Sequence, residues 1–157
     1  MALPALIEDL LAAFPKSKAQ TLRGKEIEKF RNHFTAVVGQ MILESKNEST
    51  REVLGLVRHR ASNAVIDVNE GGILSKLGNT VTLGENVKQY AQNPKTGEVI
   101  VEGPDRIELP KELIFNSENK IRSDGKGRMA FVHELCHGGI KDEFWADVVA
   151  IRAGIRM

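Results

Sequence analysis

A continuous apolar stripe at helical spacing is the sequence feature that most restricts how this chain can fold. In KEIEKFRNHFTAVVGQMILES, residues 25–45, apolar side chains recur every three or four residues from Ile27 to Ile42. An α-helix turns about 100° per residue, so these positions lie on one face. The segment therefore predicts a long amphipathic helix whose apolar face must be covered by another element.

Two further helices are predicted beside this one. LPALIEDLLAAF, residues 3–14, carries apolar residues at helical spacing and stops before Pro15. STREVLGLVRHR, residues 49–60, opens with Ser49 and Glu52 at the spacing of a capping box. The first third of the chain is therefore expected to be helical.

From residue 62 onward the pattern changes to short β-branched runs. NAVIDVNEGG, NTVTLGEN, GEVIVEG and DRIELP are separated by Gly, Asn and Pro, which predicts a small sheet of strands and turns. ELPKELIFNSE is compatible with an edge strand or a short helix, and Pro110 argues against a central strand there. Two helices, at about 127–138 and 142–154, are predicted to close the chain.

The order of these elements, helices followed by strands and again by helices, predicts an α+β fold. A length of 157 residues suits one compact domain. We expect a single domain over 1–157, with a helical part at 1–60 and the sheet and closing helices at 61–157.

Charge and cysteine content restrict the partners and the compartment. Lys and Arg (22) nearly balance Asp and Glu (21), so overall charge does not favour binding to nucleic acid or to an anionic membrane. Cys136 is the only cysteine, which excludes an intrachain disulfide. Glu8 and Asp9 interrupt the apolar N-terminus, which therefore does not resemble a signal peptide. We expect a cytoplasmic protein, with secretion that needs no signal peptide as the alternative.

The stretch HELCHGGIKDEFWAD, residues 133–147, has the residue types of a metal centre. His133 and His137 are four residues apart, one turn above each other on one helix face, so both imidazoles can reach one ion. Glu134 projects about 100° away, where a general base belongs. Glu143, at the start of the next helix, is the expected third ligand. Asp147, one turn further, is expected to accept a hydrogen bond from a ligand histidine.

Small residues around this stretch agree with the expected geometry. Gly138 and Gly139 follow the second histidine and are expected to let the chain turn sharply out of the helix. On the closing helix, Ala146, Ala150 and Gly154 share or flank the face that carries the two acids, so the two helices can approach closely. The pattern predicts a zinc site formed by two adjacent helices.

HELCH followed by EFWAD resembles the zincin metallopeptidases, whose active-site helix carries H-E-x-x-H. The later E-x-x-A-D is similar to the glutamate helix of the gluzincin branch. The resemblance covers roughly the last 30 residues and implies a zincin-like arrangement of N-terminal helices, small mixed sheet, active-site helix and C-terminal glutamate helix. It also implies that the metal ligands are His133, His137 and Glu143, the general base is Glu134, and the acid that supports a ligand is Asp147.

The spacing leaves the zincin branch open. The interval from His137 to Glu143 is close to that of the metzincin motif, which has glycine at the position of Ile140 and histidine at that of Glu143. The resemblance therefore supports the zincin superfamily and leaves the branch open.

The activity implied by the resemblance is hydrolysis of a peptide bond by zinc-activated water, with Glu134 as general base. The implied cofactor is Zn²⁺ and the implied partner is a protein or peptide substrate. The short chain also resembles the metallopeptidase domains of bacterial effectors and toxins, for which an immunity or inhibitor protein would be a second partner. Two alternatives stay open: a zinc amidase that acts on peptidoglycan peptides, and a non-catalytic interaction module with a degenerate site.

Other reactive side chains are interpreted more simply. Cys136 could be a nucleophile, but a free cysteine among apolar residues is usually a small buried hydrophobe. His33 and His59 fall at polar or terminal helix positions and are expected to be solvated. Tyr90, the only tyrosine, could steady an oxyanion, although nothing around it in the sequence links it to the histidines.

Overall fold

The structure is a computed structural model that describes residues 17–69, 73–74, 81–82, 85–87, 90–101, 103–123 and 125–157. The helix predicted at 3–14 lies outside these residues. The described part of the chain contains no helix with the length and apolar character that a membrane crossing needs.

The described elements follow the predicted order of helices, then strands, then helices. The first two helices are α1 (Lys18–Glu44) and α2 (Glu48–Asn63). The strands that follow are β1 (Val65–Asn69), β2 (Ile73–Leu74), β3 (Val81–Thr82), β4 (Glu85–Val87), β5 (Tyr90–Gln92), β6 (Val99–Val101) and β7 (Arg106–Pro110). The last three helices are α3 (Lys111–Ile114), α4 (Gly125–His137) and α5 (Glu143–Arg156). The fold is α+β, as predicted.

Helix α1 forms where the apolar stripe predicts it. Its first turn is closed by a capping box in which Ser17 Oγ accepts a hydrogen bond from the Gln20 amide (3.1 Å) and Gln20 Oε1 accepts one from the Ser17 amide (3.0 Å). The stripe is buried along most of its length, at Ile27, Phe30, Phe34, Val37, Val38 and Met41.

Helix α2 begins earlier than predicted. Its N-cap is Asn47, whose Oδ1 accepts a hydrogen bond from the Thr50 amide (3.1 Å). The predicted capping box of Ser49 and Glu52 was wrong, because Asn47, two residues upstream, already caps the first turn. Glu48, in that first turn, also suits the positive end of the helix dipole.

The largest described sheet has three strands in the order β1–β7–β4, with β1 parallel and β4 antiparallel to β7. Two antiparallel pairs, β2–β3 and β5–β6, accompany it. Ile107 and Leu109, on the central strand β7, are fully buried. The short helix allowed for in ELPKELIFNSE forms as α3, whereas Pro110, which argued against a central strand, is the last residue of the central strand β7.

The N-terminal helices and the helix that carries the histidines share one hydrophobic core. The rings of Phe30 on α1 and Phe131 on α4 stack with centroids 4.6 Å apart and planes 11° from parallel. Val57 on α2 and Leu135 on α4 are fully buried in the same cluster. From Lys18 onward, the helical first third therefore supports α4 directly.

The first turn of α4 lies against α3 at a position that only glycine fits. A Cβ at Gly127 would lie 1.9 Å from the backbone oxygen of Leu113. We expect Gly127→Ala to lower the free energy of unfolding by about 1–3 kcal/mol or more, because the clash is with backbone. Gly55→Ala is the matched control, since a Cβ at that α2 position meets no atom within 4 Å.

The control substitution should raise stability by up to about 1 kcal/mol, the usual difference between alanine and glycine inside a helix. Urea unfolding of the two variants beside the unaltered chain checks both values. Equal stability of all three proteins would contradict the close approach of α4 to α3.

Candidate metal centre

Helix α4 holds the two histidines side by side. Since His133 and His137 are one turn apart, their rings meet on one face, with centroids 4.4 Å apart and planes 79° from parallel. The two Nε2 atoms are 2.8 Å apart. The helix thus directs one nitrogen of each ring to a common point.

Helix α5 brings a carboxylate to the same point. Glu143 Oε2 lies 3.2 Å from His133 Nε2, and Glu143 Oε1 lies 3.2 Å from His137 Nε2. Glu143 is the first residue of α5, which is capped by Asp142 through a hydrogen bond from the Trp145 amide to Oδ1 (3.1 Å). The cap fixes where α5 starts and hence where Glu143 lies.

Small residues allow α5 to approach α4 closely. Ala146, Ala150 and Ala153 are buried on α5. A Cβ at Gly154 would lie 2.8 Å from Met129 Sδ on α4, so glycine keeps this end of the contact close as well. The close packing predicted from Ala146, Ala150 and Gly154 is present, with Ala153 as an additional buried member.

Both histidines are oriented through their other ring nitrogen. His133 Nδ1 lies 2.7 Å from Asp147 Oδ1, and His137 Nδ1 lies 2.8 Å from the carbonyl oxygen of Ile140. A carbonyl oxygen and a carboxylate oxygen accept hydrogen bonds, so each Nδ1 carries the donated proton. In the neutral rings each Nε2 then keeps its lone pair. Asp147 occupies the position that the spacing predicts, whereas the backbone carbonyl of Ile140 gave no signal in the sequence.

The resulting donor set fits a cation. Two Nε2 lone pairs and a carboxylate face one another without a proton donor of their own, so neutral histidines at this distance would repel. A tetrahedral zinc ion with Zn–N bonds of about 2.0–2.1 Å separates its ligand atoms by about 3.3 Å. The distances of 2.8 and 3.2 Å among these atoms approach that value. His133, His137 and Glu143 therefore bring three ligand atoms close enough together to hold a metal ion.

The centre lies at the protein surface. The histidine side chains are 21% and 14% exposed, whereas those of Glu143 and Asp147 are 77% and 60% exposed. Glu134 is half-buried on α4, about 100° around the helix from His133 and outside the three-residue cluster. The open side of the cluster is accessible to solvent and to a ligand.

The glycine turn between α4 and α5 has a different cause from the one expected. Neither Gly138 nor Gly139 has a positive φ angle. A Cβ at Gly138 would instead lie 2.8 Å from Asp105 Oδ2 and 2.9 Å from Arg60 Cβ. A Cβ at Gly139 would lie 2.7 Å from the backbone nitrogen of Val57. Glycine is required here because the turn lies directly against α2 and the residue before β7.

The remaining candidate side chains lie outside the cluster. Cys136 is fully buried, and burial raises the pKa of its thiol to about 12, which suits a neutral apolar residue better than a nucleophile. His33 and His59 are exposed on α1 and α2, as expected. The side chain of Tyr90 lies outside the described part of the structure.

Comparisons with protein-family models, with curated protein sequences and with solved structures gave no match to this chain. The geometry and chemistry of the centre itself therefore indicate what it can bind.

Proposed function

We propose that the cluster of His133, His137 and Glu143 binds zinc and that the chain is a zinc-dependent peptidase of zincin-like design. The observation that carries this proposal is the convergence of two Nε2 atoms and a carboxylate within 2.8–3.2 Å. Both Nδ1 atoms are already engaged elsewhere, so the converging nitrogens are free to act as ligands.

Each residue then has a defined role. His133, His137 and Glu143 would hold the ion, which when bound supplies Lewis acidity that activates water near neutral pH and polarises a carbonyl oxygen. Glu134 accepts a proton on its carboxylate from the attacking water and returns it to the leaving amide nitrogen. Asp147 keeps His133 in the form with Nδ1 protonated. It also makes the lone pair of His133 Nε2 a stronger electron-pair donor toward a metal ion.

Two features support a protein or peptide as the substrate. Strand β4 contacts α4 and lies at one edge of its sheet, and among the described residues its outer side has no paired strand. An extended peptide can pair with such an edge through backbone hydrogen bonds. The exposed side of Glu143 also leaves room beside the cluster for a substrate carbonyl.

The metal content of Glu143→Ala tests the proposal. We expect about one zinc per unaltered chain by elemental mass spectrometry after reconstitution and gel filtration, and little or none in the variant, because one of three ligands is lost. Glu48→Ala is the matched control, since Glu48 is likewise an acid in the first turn of a helix but lies outside the cluster. The control should retain zinc.

Absence of zinc from the unaltered chain after reconstitution would contradict the proposal. The three side chains would then only join α4 to α5. Full zinc content in Glu143→Ala would instead remove Glu143 from the ligand set.

A further inference from the structure

The orientation of His137 depends on a backbone atom outside its own helix. Its Nδ1 is hydrogen-bonded to the carbonyl oxygen of Ile140 at 2.8 Å, and Ile140 follows the glycine turn. The amides of Gly139 and Ile140 both donate to the carbonyl oxygen of Cys136, each at 3.1 Å. Any displacement of this turn would move the acceptor that aligns the His137 ring.

An ion pair whose acid is buried lies against that turn. Asp105 is 1% exposed and pairs through Oδ1 with Arg60 of α2. Its Oδ2 lies 2.8 Å from where a Cβ of Gly138 would be. The backbone oxygen of Asp105 accepts a hydrogen bond from the Val65 amide at 2.7 Å, which ties it to the start of β1. Asp105 therefore connects α2 and the sheet to the turn after α4.

The burial of Asp105 is poorly explained by stability alone. Loss of hydration of the buried carboxylate offsets much of its attraction to Arg60, whose side chain stays 19% exposed, and apolar residues are often as stable at such positions. In addition, Asp105 Oδ2 has no hydrogen-bond partner among the described residues. A buried carboxylate with an unpartnered oxygen is better explained if it defines a local conformation.

We propose that the Arg60–Asp105 pair positions His137 for metal binding, by fixing the glycine turn whose final carbonyl orients the ring. This inference depends on the proposed zinc site. Asp105 is a positioning residue, since its described contacts are to Arg60, Val65 and the turn rather than to the three ligand side chains.

The test compares Asp105→Asn, which keeps the shape of the side chain and removes its charge, with Glu44→Gln. Glu44 pairs with Arg156 at the far end of α5, so the control also breaks an ion pair that holds this helix.

Zinc affinity is measured by competition with a chromophoric chelator. The protonated nitrogen of His137 in the metal-free protein is identified by ¹H–¹⁵N NMR. We expect Asp105→Asn to weaken zinc binding about 10-fold or more and to reduce the Nδ1-protonated form. The control should change neither.

Arg60→Lys is measured in the same way and replaces Asp105→Asn if that variant does not fold. Zinc affinity and ring protonation equal to those of the unaltered chain would overturn the inference and leave the zinc site intact. An unaltered chain that binds no zinc would overturn the proposed function and the metal-binding part of the inference. The NMR measurement would then still decide whether the pair orients His137.

Discussion

Replacement of Glu134 by glutamine is expected to abolish peptide hydrolysis while zinc remains bound. Glutamine has nearly the same shape but does not accept a proton from water, and the three ligand residues are unchanged. General acid–base catalysis contributes about 10²–10⁴-fold, so kcat should fall by about that factor. The measurement is cleavage of a library of internally quenched fluorogenic peptides, at zinc contents shown to be equal.

The activity of Glu134→Gln needs a control for the loss of one negative charge. Glu112→Gln serves, because Glu112 is exposed on the short helix α3 and outside the metal cluster. It should cleave the same peptides at the unaltered rate. Thermal unfolding of the Glu134 variant shows whether its fold is intact, since Glu134 takes part in an interaction within the fold. Normal turnover by Glu134→Gln would exclude it as the base, and turnover that survives a chelator would exclude zinc.

The parts of the structure that the sequence predicts are those encoded by local periodicity. Recurrence every three or four residues determines which face of α1 is buried, and Phe34 and Val38 are fully buried. The same geometry brings His133 and His137 together, because residues four apart meet on any regular helix. Asp147, four residues after Glu143, reaches the first histidine for the same reason.

The parts that the sequence does not predict are contacts between residues distant in the chain. No local pattern indicates that Val57 lies against Gly139, or that Asp105 lies against Gly138 and pairs with Arg60. The sequence suggests backbone freedom as the reason for the two glycines, whereas the structure requires them for close packing.

Local sequence patterns also do not predict which backbone groups orient the histidines, or the order of the strands in the sheet. The carbonyl of Ile140 has no residue-specific signature, because every residue carries one. The central position of β7 depends on two partners, β1 and β4, that lie well upstream in the chain. Side-chain patterns therefore predict candidate ligands more readily than the atoms that orient them.

Zinc is expected to stabilise the folded chain. Substitutions in the metal centre should reduce this stabilisation, each to a different extent. A ligand present at 100 times its Kd and bound only by the folded state adds about 2.7 kcal/mol. For a chain of this length, that corresponds to a rise in Tm of about 5–10 °C. The measurement is thermal unfolding by circular dichroism with zinc and again after addition of a chelator.

His137→Ala should show almost no shift, because it removes a ligand together with the hydrogen bond to Ile140. Asp147→Asn keeps all three ligands but loses the charged acceptor of His133, so zinc affinity should fall about 10–100-fold. At the same zinc concentration its stabilisation should then be about 0.4–1.4 kcal/mol. His59→Ala, which removes an exposed histidine of α2, should keep the full shift. An equal shift in His137→Ala and the unaltered chain would mean that zinc binds elsewhere, because a site that loses a ligand cannot keep its affinity.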